Sequence, residues 1–299
     1  MRHALCAMVY NTIHKKTLEA SQRQKMKKIP FYKMSGAGND FIIIDNRNRI
    51  VADTELSGFI ASVCRRKMSV GADGLILIEA SDKCDFRWRF FNSDGSNAEM
   101  CGNGARCAAR FAQVRGIAGT RLSFETEAGI VSAWIHEDRV KVKMPDPSEL
   151  KLAYPLELSD RSLEISSINT GVPHVVVMVE QVAEVDVVSL GREIRLHQTF
   201  APAGTNANFA EHLKGNAIEI RTYERGVEDE TLACGTGAIA SAIISAAKYK
   251  MSSPIDVKTR SGAHLTIHFD AENGQFSEIY MEGDARIIYI GELQPDAWQ

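Results

Sequence analysis

The chain has 299 residues, of which 44% are hydrophobic and 24% are charged, and its formal net charge is −3. This composition is typical of a soluble globular protein with one large domain or two modest ones. It argues against a nucleic-acid-binding protein, which needs a basic patch, and no apolar run approaches the ~20 residues that span a bilayer.

The chain contains six cysteines, and no two of them have the CxxC spacing of a structural zinc site. A chain of this length does not need a disulfide scaffold, so we interpret them as free thiols in a reducing cytosol. We therefore predict a cytoplasmic protein without a metal site. The cysteines are Cys6, Cys64, Cys84, Cys101, Cys107 and Cys234.

The segment before Ile29 shows no sustained helix or strand pattern and includes several basic residues. It also lacks the apolar core and small-residue cleavage site of a secretory signal peptide. We interpret residues 1–28 as an extension that need not be ordered, with Met26 as an alternative start and a transit peptide as a second interpretation. Folded structure is expected to begin near Ile29.

From Phe31 the chain alternates between strand and helix patterns. Leu56, Phe59, Ile60 and Val63 lie on one face of a predicted helix over ELSGFIASVCRR, and a second helix is predicted from Gly102. Runs of β-branched and aromatic residues predict strands. These strands are FYKM, FIIIDN, GLILIEA, FRWRFFN, LSFETEAG, VSAWIH and RVKVKM.

The second half of the chain repeats this order. Helices are predicted near 191–200 and from Gly235. The predicted strands are SLEISSIN, HVVVMVE, NANFAEHL, AIEIRTYE, IDVKTR, HLTIHF and SEIYMEG. A last strand, ARIIYIGEL, has no counterpart among them, and we predict that it returns to the first half.

Two short motifs recur at one offset. MCGNGARCAARFA around Cys101 and ACGTGAIASAIIS around Cys234 both fit CGxGAxxxA. A second pair of motifs, TEAG at 126–129 and TRSG at 259–262, is separated along the chain by the same interval as the two cysteines. The shared offset predicts an internal duplication.

We therefore predict an α+β fold with two pseudo-symmetric domains, each a mixed β-sheet wrapped around a central Ala-rich helix. The N-terminal domain is expected over 29–146 and the C-terminal domain over 147–283. Residues 284–299 are predicted to return to the first domain. The predicted linker is Met144–Leu150, where two prolines interrupt the strand pattern.

In each repeat a cysteine stands directly before the Gly-rich start of a helix. Unpaired N–H groups and a partial positive charge at a helix N-terminus bind a carboxylate and lower the pKa of a thiol. Two such cysteines facing one ligand could invert a carbon centre, because one thiolate removes the α-proton and the opposite thiol delivers a proton. A single cysteine in this position is more often a packing residue, and the matched pair is what favours catalysis. This scheme requires no cofactor, and we predict none.

Seven motifs, in order, make the chain from about Phe31 to its C-terminus resemble the diaminopimelate epimerase family. The motifs are GAGNDF, GADG, FFNSDGSNAEMCGNGARC, NTGVPH, GTNANF, YERGVEDETLACGTGA and MEGDA. The resemblance implies a two-domain fold and interconversion of LL- and meso-2,6-diaminopimelate in lysine and peptidoglycan-precursor biosynthesis. It also implies a homodimer without metal or cofactor, acting on a small-molecule amino acid, with no nucleic-acid or membrane partner.

Carried over position by position, the resemblance implies that Cys101 and Cys234 are the acid/base pair. His174 and Glu224 match polar positions that flank the cysteines and tune their pKa values. The remaining matches bind substrate. Gly102, Asn103, Gly235 and Thr236 bind the reacting α-carboxylate, and Asn39, Asn92, Asn206, Glu224 and Arg225 hold the amino and carboxylate groups.

Two positions depart from the family pattern. Val172 stands where many members have asparagine before the proline of NTGVPH, and Gly74 stands where some members have glutamine. We expect both changes to remove contacts to the distal end of the substrate. The reacting end of the site matches the family.

Other functions are compatible with the same residues. One is a proline or hydroxyproline racemase on a similar two-cysteine plan, and another is a broader specificity that includes glutamate. A binding module that holds an amino acid without reacting is a third, although it would need neither cysteine. A disulfide between Cys101 and Cys234 would add redox regulation to catalysis.

Overall fold

The computed structural model describes residues 28–98 and 100–299. The predicted extension, except for Lys28, lies outside the described residues. None of the helices in the described part of the chain has the length and apolarity to cross a bilayer.

The first half of the described chain contains nine strands and two α-helices. The helices are α1 (Leu56–Cys64) and α2 (Gly102–Val114). The strands are β1 (Ile29–Gly36), β2 (Asn39–Asp45), β3 (Gly74–Glu79), β4 (Phe86–Asn92), β5 (Asn97–Ala98), β6 (Arg121–Thr126), β7 (Gly129–His136), β8 (Arg139–Lys143) and β9 (Ser148–Glu157).

The second half contains the same number of strands and α-helices in the same order. The helices are α3 (Val187–Leu196) and α4 (Gly235–Tyr249). The strands are β10 (Ser162–Asn169), β11 (Pro173–Val179), β12 (Asn206–His212), β13 (Ala217–Glu224), β14 (Asp229–Thr231), β15 (Ile255–Lys258), β16 (His264–Glu272), β17 (Gln275–Asp284) and β18 (Arg286–Leu293).

Strand pairing repeats with a period of nine strands. In the first half β2–β3 and β4–β6 are parallel, and in the second half the corresponding pairs β11–β12 and β13–β15 are parallel. The other strand pairs are antiparallel, including β8–β17, which joins the two halves. The predicted duplicated α+β fold with mixed sheets is confirmed.

The two halves exchange their last strands. β9 follows the first half but pairs with β10, and β18 follows the second half but pairs with β1. The prediction that the last strand has no counterpart was therefore wrong, because β9 is its counterpart. β9 was missed since only Leu156 along it is buried, which leaves no alternating apolar pattern to detect. The linker is correspondingly shorter than Met144–Leu150, with β9 beginning at Ser148, while the domain boundaries remain a prediction.

Each Ala-rich helix packs against strands of its own half of the chain. α2 packs against β1, β2, β7 and β8, and α4 packs against β10, β11, β12 and β16. The alanines on the helices are buried in one apolar cluster that spans both halves. Small side chains allow the strands to approach the helix closely. The sheets thereby fix the position of both helix N-termini, where the candidate site lies.

Candidate active site

Cys101 and Cys234 are the N-cap residues of α2 and α4. Both have extended backbone conformations, with φ −145° and ψ 116° for Cys101 and φ −115° and ψ 112° for Cys234. The N–H of Gly237 donates to Sγ of Cys234 at 3.4 Å. No side-chain hydrogen bond caps the helix at Cys101, but the nearby N–H groups of Gly104 and Asn103 lower the pKa of its thiol. Each sulfur therefore lies at a helix first turn.

Met281 on β17 brings the two helix starts together. A Cβ atom built on Gly102 would collide with Cε of Met281, and one built on Gly235 would lie 3.0 Å from its Sδ. The thioether thus touches the first residue of both helices. Neither cysteine is in a disulfide, and Cys101 is close enough for its charge to raise the pKa of Cys234. The duplication has placed two equivalent thiols at one site.

The protonation state of the thiols differs from the prediction. Burial raises the pKa of both Cys101 and Cys234, and this effect outweighs the N–H groups and helix starts that lower it. Cys234 is only 5% exposed. A thiolate loses its hydration when it is buried, so the helix N-terminus alone does not make it the dominant form. The first-turn N–H groups act in the predicted direction, but burial outweighs them, so the expected gain in thiolate is not found in the ligand-free protein.

Glu224 lies beside Cys234 at the end of β13. Its carboxylate accepts a hydrogen bond from Oγ1 of Thr231 at 3.0 Å. Burial raises the pKa of Glu224, and after burial the negative charge of Glu224 is the largest cause of the raised pKa of Cys234. The carboxylate therefore acts on the cysteine through its charge.

Asn39 and Asn103 are joined side chain to side chain near Cys101. Nδ2 of Asn103 donates to Oδ1 of Asn39 at 2.6 Å, and Nδ2 of Asn39 donates to Asp73 at 3.1 Å. The Asn103 side chain is buried. Its amide is therefore directed into the protein, and only its main-chain N–H faces the cysteine.

Asn206, His174 and Arg225 meet on the second half of the molecule. Oδ1 of Asn206 accepts the main-chain N–H of Arg225 at 2.8 Å, and Nδ2 of Asn206 lies 3.5 Å from Nε2 of His174. The guanidinium of Arg225 donates to the carbonyl of Ala203 at 3.1 Å. The structure thus places these three predicted residues together, beside β12.

His174 is buried and uncharged. Burial and the nearby Arg225 cation lower its pKa to about 3. Its ring contacts two asparagine amides, Asn206 and Asn208, and Nδ1 lies 3.1 Å from Nδ2 of Asn208. Its predicted influence on the cysteines stays a prediction.

The depressed pKa of His174 predicts acid instability. The unfolded chain binds a proton at this histidine below about pH 6.5, whereas the folded protein does so only near pH 3, so stability falls as the pH drops between these values. We expect the free energy of unfolding, measured by urea denaturation at pH 7, 5 and 4, to lose about 3 kcal/mol through this residue. The His174→Gln variant should show a flatter pH dependence, whereas a variant of exposed His136 should not. An identical slope in His174→Gln and the unmodified protein would contradict this assignment.

Two predicted residues lie differently from the rest. Asn92 is the exposed last residue of β4, and its amide donates to Oγ of Ser96 at 3.0 Å. Thr236 lies on the first turn of α4, where its hydroxyl is 3.5 Å from Sγ of Cys234 and its carbonyl accepts from Thr170 at 3.1 Å. Thr236 is therefore part of the cysteine site, while the side chain of Asn92 is bonded to the turn that follows β4.

Gly74 is required by packing, which gives a reason for its identity that the sequence did not suggest. A Cβ atom there would lie 2.6 Å from the carbonyl oxygen of Phe91 and 2.7 Å from the Phe90 ring. Val172, in contrast, lies partly exposed in the loop before β11. The pairing of β3 with β4 leaves no room for a side chain at position 74, and the expected loss of a contact to the distal end of the substrate stays a prediction.

This contrast predicts different outcomes for the two family-like substitutions. We expect Gly74→Gln to lower the free energy of unfolding by about 1–3 kcal/mol, because it overpacks a buried strand pair. Val172→Asn should leave it within about 0.5 kcal/mol. Thermal and urea denaturation of both variants measures the difference, and equal stability of the two would refute the packing explanation for Gly74.

Three residues of the site were not predicted. Asn208 is fully buried and holds His174 and the hydroxyl of Thr222, while Arg106 and Met281 lie beneath the helix starts. Asn208 lies within the motif GTNANF and Arg106 within CGNGARC. Their place in these motifs, as polar residues next to predicted site residues, was the sequence feature that could have identified them. No group of three or more His, Cys, Asp or Glu side chains in the described part of the chain is arranged to hold a metal ion.

The comparisons with known proteins agree with this geometry. A family model described as diaminopimelate epimerase matches residues 31–150 and 166–288. The chain is 45% identical over 282 residues to the diaminopimelate epimerase of Aquifex aeolicus (strain VF5), covering 89% of this chain and 98% of that protein. It is 42% identical over 280 residues to the diaminopimelate epimerase of Archaeoglobus fulgidus, covering 89% and 97%.

A solved structure with the same fold is the probable proline racemase of Agrobacterium radiobacter K84. The TM-score is 0.68 at 13% identity, and the match covers 90% of this chain and 95% of that one. At this identity the likeness shows a shared fold alone. It therefore does not support proline racemase activity for this chain.

Proposed function

The chain belongs to the diaminopimelate epimerase family and is an isomerase, and from that premise we propose that it interconverts LL- and meso-2,6-diaminopimelate through Cys101 and Cys234. The observation that carries the proposal is the pair of thiols at two duplicated helix N-termini that meet on Met281. This reaction would serve lysine and peptidoglycan-precursor biosynthesis.

The mechanism consists of two proton transfers at one carbon. One cysteine, as thiolate, takes the α-proton and becomes a thiol, and the electron pair stays on the substrate as a carbanion. The other cysteine then gives its proton to the opposite face of that carbon and becomes the thiolate. The first-turn N–H groups of α2 and α4 stabilise the negative charge that develops on the α-carboxylate.

Substrate binding is proposed to displace water from the buried thiols. The α-carboxylate would take the N–H groups at Gly102, Asn103, Gly235 and Thr236, and Arg225 supplies a cation for a carboxylate. Glu224, Asn39, Asn92 and Asn206 supply acceptors for ammonium groups. His174 remains neutral and holds the Asn206 amide in place.

Hydrogen–deuterium exchange at the α-carbon tests the proposed function. The reduced protein is incubated in D2O with LL-diaminopimelate, L-glutamate or L-proline, and deuterium incorporation and epimer content are measured. We expect exchange and inversion with diaminopimelate. No exchange with diaminopimelate would overturn the proposal, and if the ligand nevertheless bound, a binding module would be the better interpretation. Exchange with glutamate or proline instead would assign the broader or different specificity.

We propose in addition that the protein is a homodimer formed along β18. This strand pairs with β1 on one side, and Ile288, Tyr289 and Ile290 along it are 53%, 45% and 61% exposed. Among the described residues no strand pairs with the other edge of β18, and a second copy that paired there would cover these apolar side chains.

The dimer proposal predicts an effect of charge on this strand. Sedimentation of the unmodified protein should give a dimer, and Ile288→Lys with Ile290→Lys should shift it to a monomer. Ile130→Lys on β7, where the side chain is 63% exposed, is the matched control and should stay dimeric. A monomeric unmodified protein at micromolar concentration would exclude this interface. A cytoplasmic location is part of the same proposal, because the site needs two reduced thiols.

A further inference from the structure

A fully buried cation lies beneath the helix start that carries Cys101. Arg106 on α2 is 0% exposed. Its Nη2 donates to Oδ1 of Asn103 at 2.9 Å, its Nε donates to the main-chain carbonyl of Asp284 at 3.2 Å, and its Nη1 lies 3.5 Å from the carbonyl of Gly102. All three acceptors are neutral.

Among the described residues, no carboxylate forms an ion pair with this guanidinium. The nearest acidic side chain, Asp284, is engaged by Arg286 at 2.6 Å and by the main-chain N–H of Ala37 at 3.1 Å. A buried charge without a partner is costly unless an anion is available to it. The ionisable groups whose charges act on Arg106 are Cys101, Cys107, Asp284 and Arg139.

The buried cation on α2 has no counterpart at the matching position of α4. Ile239 on α4 stands at the same distance in sequence from Cys234 as Arg106 does from Cys101, and it is also fully buried. The half of the site around Cys234 instead contains the carboxylate of Glu224, whose charge raises the pKa of Cys234. One cysteine therefore has a buried cation on its own helix, and the other has an apolar side chain at the matching position and a carboxylate that opposes its ionisation.

We propose that Arg106 is a positioning residue that favours the thiolate form of Cys101, so that Cys101 loses its proton before Cys234 in the free enzyme. The two otherwise equivalent thiols then lose their protons in a defined order. The role of this order in catalysis rests on the proposed function, whereas the order of proton loss from Cys101 and Cys234 in the free enzyme does not. Arg106 acts through its charge and through Asn103, whose amide it turns towards Asn39.

The charges around Cys101 agree with this assignment. Burial is the largest cause of the raised pKa of Cys101; among the charges, Glu224 raises this pKa and Arg106 lowers it by less. Burial is also the largest cause for Cys234, and there the charges of Glu224 and Cys101 both raise the pKa further. A cation thus acts in favour of the thiolate only at Cys101. Cys107, directly after Arg106, is fully buried in the apolar core, and burial raises its pKa to about 12.

Alkylation of the two thiols without substrate tests the proposal. The full-length reduced protein reacts with iodoacetamide at pH 7 and pH 8, and peptide mass spectrometry follows Cys101 and Cys234 separately. The thiolate displaces iodide and forms the S–C bond, so the rate at each site reports its thiolate fraction. Iodoacetamide is neutral, so Arg106 does not attract the reagent itself.

We expect Arg106→Met to slow alkylation of Cys101 about tenfold and to leave Cys234 within about twofold. Arg106→Lys keeps the charge and should restore most of the Cys101 rate, and Ile239→Met on α4 is the matched control that should change neither rate. A merely structural role would loosen the site and speed both reactions, so faster alkylation of both thiols in Arg106→Met would overturn the proposal. Unchanged rates in that variant would overturn it equally. Because no substrate is present, either result is independent of whether the chain epimerises diaminopimelate.

Discussion

Substituting serine for Cys101 or for Cys234 is expected to lower the rate of diaminopimelate epimerisation at least about a thousandfold. A serine hydroxyl is a far weaker acid than a thiol, so it neither forms the base that removes the α-proton nor delivers a proton readily. Both cysteines are needed because each serves one face of the carbon. The measurement is the initial rate of meso isomer formation from LL-diaminopimelate under reducing conditions.

The serine variants should fold, because serine is a preferred N-cap residue and its oxygen can accept first-turn N–H groups, as Sγ of Cys234 accepts the N–H of Gly237. Circular dichroism and urea denaturation check this point. Cys84, which is partly exposed and outside the site, provides the matched control, and Cys84→Ser should retain activity within about twofold. Full epimerase activity in either of the first two variants would exclude the two-thiol mechanism.

The fold was largely predictable because the chain is duplicated. Strands with alternating apolar residues, such as β13, and helices with buried alanines, such as α4, carry strong periodic signals, and each signal is present twice. β9 carries none, since it is an edge strand exposed along nearly its whole length. Its existence follows from the strand exchange between the halves, which is a tertiary property.

The residues of the site could be predicted from the sequence, but the pKa values of the two thiols could not. Motif order placed Cys101, Cys234, Glu224 and Asn206 in one site, and the structure brings them to the two helix starts and the ends of adjacent strands. Sequence position does not report desolvation, however, so the balance between a helix N-terminus and burial could only be judged with the fold in hand. For the same reason Gly74 looked like a lost contact, although the neighbouring strand leaves no space for a side chain.

The raised thiol pKa values lead to the second large effect, an increase of kcat/KM with pH. The reaction begins from a free enzyme with one thiolate and one thiol. Burial raises the pKa of both cysteines, and Glu224 raises them further, so at neutral pH most molecules hold both protons. The active form therefore grows as the pH rises. We expect kcat/KM for diaminopimelate to increase about tenfold per pH unit, or about a hundredfold between pH 6 and pH 8.

The same reasoning requires a decline at higher pH, when the second thiol also loses its proton and no acid remains. Glu224→Gln removes the negative charge beside Cys234, so the rising limb should move to lower pH in that variant, with a smaller maximum if the carboxylate also binds substrate. Urea denaturation at each pH separates these changes from unfolding, which His174 promotes only on the acidic side. A kcat/KM that is independent of pH from 6 to 8 would contradict this expectation. It would mean that one of the two cysteines is already a thiolate at pH 6, so that the helix N-terminus lowers its pKa by more than burial raises it.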